Sequence, residues 1–184
     1  THPRPEYVGR RDDPKGLMNR RSLDLSMSIE RIAVLGAGQM GNGITQVAAC
    51  AGYEVTMIDI QQDYVDNGMA NIQKSLQKIV SKERMTEEEA ASALCRISGS
   101  VDRSSAADAD LVVEAIPEIP ELKFSTFAEL DEICKPDTIL ASNTSSISIN
   151  DIAAATSRPN KVIGMHFMNP VPIMKLVEII NGSE

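Results

Sequence analysis

Ile32-Ala-Val-Leu-Gly-Ala-Gly-Gln-Met-Gly41 begins with four apolar residues and runs straight into Gly36-x-Gly38-x-x-Gly41. A short apolar run that ends on glycine predicts a strand buried on both faces. After the glycines, Ile44, Val47, Ala48 and Ala51 recur at helical spacing, and Gly52 follows as a helix C-cap would. Val55-Thr-Met-Ile58 then predicts a second strand, closed by Asp59. Strand, glycine turn, helix and strand make one βαβ unit, the local framework of a parallel sheet.

The reading extends outward from this unit. Residues 62–95 predict two helical segments broken near Met85-Thr86, with Thr86-Glu-Glu-Glu89 as a capping box for the second. That stretch is long for a simple crossover and implies a helical excursion after the second strand. Arg96-Ile-Ser98 and Leu111-Val-Val113 predict further strands, and residues 119–134 a helix with Pro120 in its first turn. Thr138-Ile-Leu-Ala141 predicts a strand, residues 148–155 a short helix, Val162-Ile163 a strand ending near His166, and Lys175–Ile180 a last strand. Alternating strands and helices of this kind predict an α/β, doubly wound, mostly parallel sheet.

Composition narrows the function. The 184 residues are 42% hydrophobic and 24% charged, with a net charge of -8 and a pI near 4.8. Such a balance suits one globular domain, and it lacks the basic stripe of a nucleic-acid binder. No apolar run reaches the ~20 residues of a membrane span. Cys50, Cys95 and Cys134 are far apart and in no C-x-x-C spacing, so reduced, mostly buried thiols in a cytoplasmic setting are expected. No His/Cys cluster has metal-ligand spacing.

Three segments carry candidate chemistry. In Gly36-x-Gly38-x-x-Gly41 the first glycine allows a tight turn, the second lets backbone approach a pyrophosphate, and the third lets helix pack on strand. The helix N-terminus offers free N–H groups to the phosphates. Asp59, 18 residues beyond Gly41, is placed to accept both ribose hydroxyls. Its charge repels a 2′-phosphate, so NAD is favoured over NADP. His166 ends a strand at the edge where open sheets bind ligands, and histidine can act as a base near neutral pH. If the chain turns at Pro170–Pro172 and returns as a strand, Glu178 can meet His166 and fix its tautomer. Spacing alone favours a packed histidine and a surface glutamate instead. Ser142-Asn-Thr-Ser-Ser146 puts four hydroxyls and an amide at another strand end, as a substrate-oxygen site or as a polar turn in which Ser148 caps the next helix.

Taken as an ordered set, these segments resemble the NAD-binding Rossmann domain of the 3-hydroxyacyl-CoA dehydrogenase (3-hydroxybutyryl-CoA dehydrogenase) family. The resemblance runs from Ile32 to about Glu178 and is carried by four segments. They are Gly36–Gly41, Val112-Val-Glu-Ala-Ile-Pro-Glu118, Ser142–Ser146, and His166-Phe-Met-Asn-Pro-Val-Pro172 with Lys175-Leu-Val-Glu178. It implies NAD-dependent oxidation of (S)-3-hydroxyacyl-CoA to 3-ketoacyl-CoA, in fatty-acid β-oxidation or butanoate metabolism. His166 would be the base, Glu178 its orienting partner, and Ser145 the hydrogen-bond partner of the substrate oxygen, with Asn169 beside the same pocket. The glycine turn, including Gln39 and Met40, would bind the cofactor with Asp59. Glu118, Lys123 and Asn143 would contact the nicotinamide-ribose half.

The same family carries a C-terminal helical domain that supplies the dimer interface and part of the acyl pocket. The resemblance therefore implies a partner domain in cis or in trans, and a homodimer through it. Residues 1–28, punctuated by Pro3, Pro5, Gly9, Pro14 and Gly16, read as a flexible or loosely docked tail. Within it Arg4-Pro-Glu-Tyr-Val-Gly-Arg10 resembles the C-terminal tail of enoyl-CoA hydratases, the alternative being a linker. Two other functions compete. One is a non-catalytic NAD-binding module, which needs no His166–Glu178 contact. The other is a dehydrogenase of the 3-hydroxyisobutyrate type, against which the His-Phe-x-Asn-Pro segment argues.

Overall fold

A computed structural model of the chain describes residues 28–183. The expected tail and its hydratase-like stretch lie outside the described residues. Seven strands form one sheet in the order β3-β2-β1-β4-β5-β6-β7. In sequence they are β1 (Arg31–Leu35), β2 (Glu54–Ile58), β3 (Ile97–Ser100), β4 (Leu111–Glu114), β5 (Ile139–Ser142), β6 (Val162–Phe167) and β7 (Val177–Asn181). All neighbours from β3 to β6 are parallel, and β7 returns antiparallel to β6. Helices α1 (Gln39–Cys50), α2 (Gln62–Val80), α3 (Glu87–Cys95), α4 (Pro120–Ile133) and α5 (Ile149–Ala153) make the crossovers.

Alternation along the central strands explains why both faces are covered. In β1, Ile32 and Val34 enter a core with Ile44 of α1 and Val65, Ile72 and Leu76 of α2. Ala33 and Leu35 enter the opposite core with Phe127 and Leu130 of α4 and Ile152 of α5. The unbroken apolar run Ile32–Leu35 thus serves two cores, one on each side of the sheet.

The expected helical excursion is the β2-to-β3 crossover, built from α2 and α3 in series and packed on α1. Its second helix starts where the capping box predicts. The Thr86 hydroxyl accepts from the Glu89 amide, and the Glu89 carboxylate accepts from the Thr86 amide at 2.8 Å. Between β3 and β4 the crossover shrinks to a single 3-10 turn, Arg103–Ala106, capped by Asp102.

Two expectations need correction. The last strand begins at Val177 rather than Lys175, because Pro170 to Met174 close a turn through amides of Ile173 and Met174 that donate to the Pro170 carbonyl. The cysteines are free, but only Cys134 is buried; Cys50 and Cys95 are exposed. Each is the last residue of its helix, α1 or α3, where the chain leaves the packed face.

Candidate functional site

The site lies along the carboxyl ends of the parallel strands. Successive crossovers build outward from β1 through β2 to β3, then jump back to β4 on its other side. Ligand crevices of open α/β sheets form at such a switch point. A cleft of about 1020 Å³ opens there, lined by the glycine turn, Asp59, Ile60 and Ala115–Pro117.

The glycines fit a nucleotide for stated steric reasons. Gly36 has φ +100°, and its amide donates to the Ile58 carbonyl at 2.7 Å. A Cβ there would sit 2.6 Å from the Ala115 carbonyl oxygen. A Cβ on Gly41 would be driven into the Gly36 carbonyl oxygen, so α1 can start this close to β1 only with glycine. Around Gly38 there is open space within 4 Å of the Cβ position. That is the gap through which a pyrophosphate can reach backbone amides. Asp59 is braced from both sides: Oδ2 accepts from the Ala37 amide at 2.6 Å and Oδ1 from the Ile60 amide at 2.7 Å. Each oxygen keeps a lone pair for a ribose hydroxyl.

A second cleft of about 320 Å³ adjoins the first and shares Met40, Ala115 and Ile116 with it. Glu118, Asn143, Ser145, His166 and Asn169 line it. Ser145, His166 and Asn169, all expected to handle substrate, thus share one cleft next to the larger one. His166 and Glu178 sit at the same register position of β6 and β7. The His166 Nδ1 and Glu178 Oε2 are 2.9 Å apart. With Nδ1–H donated to the carboxylate, Nε2 is left as the acceptor of the neutral ring. The Asn143 side-chain oxygen accepts from the Phe167 amide at 2.8 Å and pins the end of β6 beside His166. The Gln39 amide donates to the Asn169 side-chain oxygen at 3.1 Å, joining the glycine turn to the loop after His166.

Ser142–Ser146 divides into inward and outward hydroxyls. Ser142 is buried and donates to Glu114 at 2.6 Å. Thr144 is buried and donates to Glu118. The Ser146 hydroxyl donates to Glu118 at 3.2 Å. Ser145 is exposed in the cleft, and its hydroxyl has no protein partner among the described residues. Burial tends to push the Glu118 carboxyl up, but the Thr144 hydroxyl, the Lys123 ammonium and the Ser145 amide outweigh it and hold the group at about 2.

Lys123, expected beside the nicotinamide-ribose half, lies buried under Glu118. Its side chain is 1% exposed and forms ion pairs with Glu114 at 2.6 Å and Glu118 at 3.1 Å. Glu114 is wholly buried, and its importance is hard to see beforehand. In the sequence it is an acid at the end of the apolar run Leu111-Val-Val113, inside the resemblance segment Val112–Glu118 but with no role marked for it. Among the described residues, no group of three His, Cys, Asp or Glu could hold a metal ion, and no helix is long and apolar enough to cross a membrane.

The strand order, the glycine turn at the switch point and the acid at the end of β2 define a dinucleotide-binding domain of the dehydrogenase class. Residues 31–184 match the family model described as the 3-hydroxyacyl-CoA dehydrogenase NAD-binding domain, and the chain belongs to that family, whose cofactor is NAD. A probable 3-hydroxybutyryl-CoA dehydrogenase of Bacillus subtilis is 52% identical over 156 residues, covering 85% of this chain and 54% of that protein. The crystal structure of an (S)-3-hydroxybutyryl-CoA dehydrogenase from Ralstonia eutropha superposes with a TM-score of 0.83 at 47% identity, covering 85% of this chain and 55% of that one. The alpha subunit of a fatty acid oxidation complex from Psychrobacter arcticus is 43% identical over 156 residues, covering 85% of this chain and 22% of that subunit. The chain thus spans about half the length of the 3-hydroxybutyryl-CoA dehydrogenases it matches.

Proposed function

We propose that this chain supplies the NAD site and the acid–base pair of an enzyme that oxidises (S)-3-hydroxyacyl-CoA to 3-ketoacyl-CoA. The carrying observation is the His166–Glu178 hydrogen bond on the wall of a cleft that adjoins the cofactor cleft. Nε2 of His166 takes the proton of the 3-hydroxyl. Glu178 keeps the opposite nitrogen protonated and stabilises the imidazolium that forms. Ser145 donates its free hydroxyl to the substrate oxygen, and Asn169 borders the same pocket. Bound NAD supplies the two-electron acceptor for the hydrogen on C3. Asp59 holds the adenosine ribose, and Glu118 and Asn143 face the nicotinamide-ribose half.

The acyl pocket is completed by a C-terminal helical domain, present in cis or in trans. Ile173, Met174 and Leu176 in the turn after His166, with Ile179 and Ile180 on β7, are exposed apolar side chains at the edge where that domain would dock. The names of the relatives support a role in short-chain or fatty acyl-CoA metabolism.

The test pairs calorimetric titration of residues 1–184 with NADH and a steady-state assay on acetoacetyl-CoA. NADH binding with negligible turnover is expected, with turnover restored when the C-terminal half of a relative is added or fused. Absence of NADH binding would remove the cofactor assignment. Binding without turnover in the fused protein would leave only a cofactor module.

A further inference from the structure

Beneath the floor of the smaller cleft Glu114 of β4 and Lys123 of α4 lie buried against one another, and Glu118 of the intervening loop joins them from the rim. Glu114 ends β4, in register with Leu35 of β1 and Ser142 of β5, and is fully enclosed. A carboxylate in such a place is stable only if donors surround it. Here Oε1 accepts from Lys123 Nζ at 2.6 Å and from the Ile116 amide at 2.7 Å, and Oε2 accepts from the Ser142 hydroxyl at 2.6 Å.

The ammonium above it is equally saturated. Its three protons have three acceptors: Glu114 Oε1, Glu118 Oε2 at 3.1 Å and the Ile116 carbonyl at 3.4 Å. In this arrangement Lys123 reaches the lining of the cleft through Glu118. Glu118 in turn gathers the next segment: its Oε1 accepts from the amides of Ser145 and Ser146 at 3.1 and 3.3 Å. The chain of contacts runs from a buried carboxylate to the backbone of the serine proposed to hold substrate.

We propose that Glu114 is a positioning residue that anchors the Lys123 ammonium in the core, so that Lys123 holds Glu118 and Glu118 holds the Ser145–Ser146 turn in its binding geometry. The charge is the essential property. Without it, Lys123 has one carboxylate left, Glu118, which is partly exposed at the rim. A long cationic side chain then extends toward that rim and toward water. Glu118 and the turn it holds move with it. The consequence for NADH rests on the cofactor reading above; the connection to the turn does not.

The experiment uses the whole chain and the nearly isosteric Glu114→Gln, which removes the charge alone. Three quantities are read: the amide 1H–15N signals of Ser145 and Ser146 without ligand, the NADH dissociation constant, and the melting temperature. Both amide signals are expected to move, and NADH binding to weaken by roughly tenfold, the scale of one charge-assisted hydrogen bond. Lys123→Met is expected to move the same two signals, and Glu114→Gln added to Lys123→Met to move them no further. Glu114→Asp, which keeps the charge but is one methylene short, is expected to move them less, and serves if the glutamine variant does not fold. A lower melting temperature with both signals and NADH affinity unchanged would make Glu114 a stabilising residue only. Shifts of equal size with and without Lys123 would break the proposed route. Should the wild-type chain not bind NADH at all, the cofactor reading fails and the amide signals still decide the role of Glu114.

Discussion

His166 on β6 and Glu178 on β7 face one another at a single register position, with Nδ1 and Oε2 2.9 Å apart. The chain reverses between them in the turn at Pro170–Met174, so the antiparallel edge strand carries the acid to the base. The strand pairing fixes the backbone on both sides, and the carboxylate fixes the ring.

Glu178→Gln should therefore lower kcat in the two-domain protein by a factor of about 10²–10⁴, the usual share of general acid–base catalysis. NADH affinity should change little, because Glu178 lines neither cleft. Steady-state kinetics beside NADH titration separates the two. Unchanged kcat would remove Glu178 from the mechanism.

Asp59→Ala should weaken NADH binding and narrow the gap to NADPH. The carboxylate faces the cleft while bracing the Ala37 amide, so its loss removes both a ribose acceptor and a support of the glycine turn. Fluorescence titration with both cofactors is the check. Equal affinity of the wild type for the two would show that Asp59 does not select between them.

Gly41→Ala should disrupt the start of α1, because the new Cβ meets the Gly36 carbonyl oxygen, a backbone atom that cannot swing away. A stability loss of about 1–3 kcal/mol is the usual result of such overpacking. NADH binding should fall by more than tenfold, since the same turn is the proposed phosphate cradle. Urea unfolding and calorimetry measure the two effects. Wild-type affinity in this variant would place the phosphates elsewhere.

Acid should weaken the fold through Glu118 and Asp110, each held at about 2 from ordinary values of 4.5 and 3.8. For Glu118, burial opposes the shift while Thr144 and Lys123 drive it; for Asp110, Lys135 and the amides of Arg31 and Glu30 drive it. A carboxyl with a depressed pKa in the fold contributes stability above its unfolded value. That contribution disappears as the pH falls toward 2. Urea midpoints should accordingly decline between pH 5 and pH 2, and Glu118→Gln should make the decline shallower. An identical slope in the variant would mean that Glu118 is not held by these partners.

Local sequence was enough for features whose causes are local. The βαβ unit follows from an apolar run, the Gly36-x-Gly38-x-x-Gly41 turn, and helical periodicity after it. The start of α3 follows from a capping box complete within four residues, Thr86 to Glu89. The motif spacing marked Asp59, and the resemblance to a family went further and marked His166, Glu178 and Ser145 as candidate site residues. Tertiary packing decided the rest. The exposure of Cys50 and Cys95 depends on where helix ends leave the packed face, which composition does not report. Of the four hydroxyls in Ser142–Ser146, those of Ser142, Thr144 and Ser146 are taken by carboxylates that β4 and the loop after it bring alongside. Glu114 and Lys123 are nine residues apart on a strand and a helix, with no shared periodicity, and meet only because α4 packs over the end of β4. Backbone preference acts over a few residues and is written in the chain, whereas pairing of buried charges is decided by which surfaces the finished fold presses together.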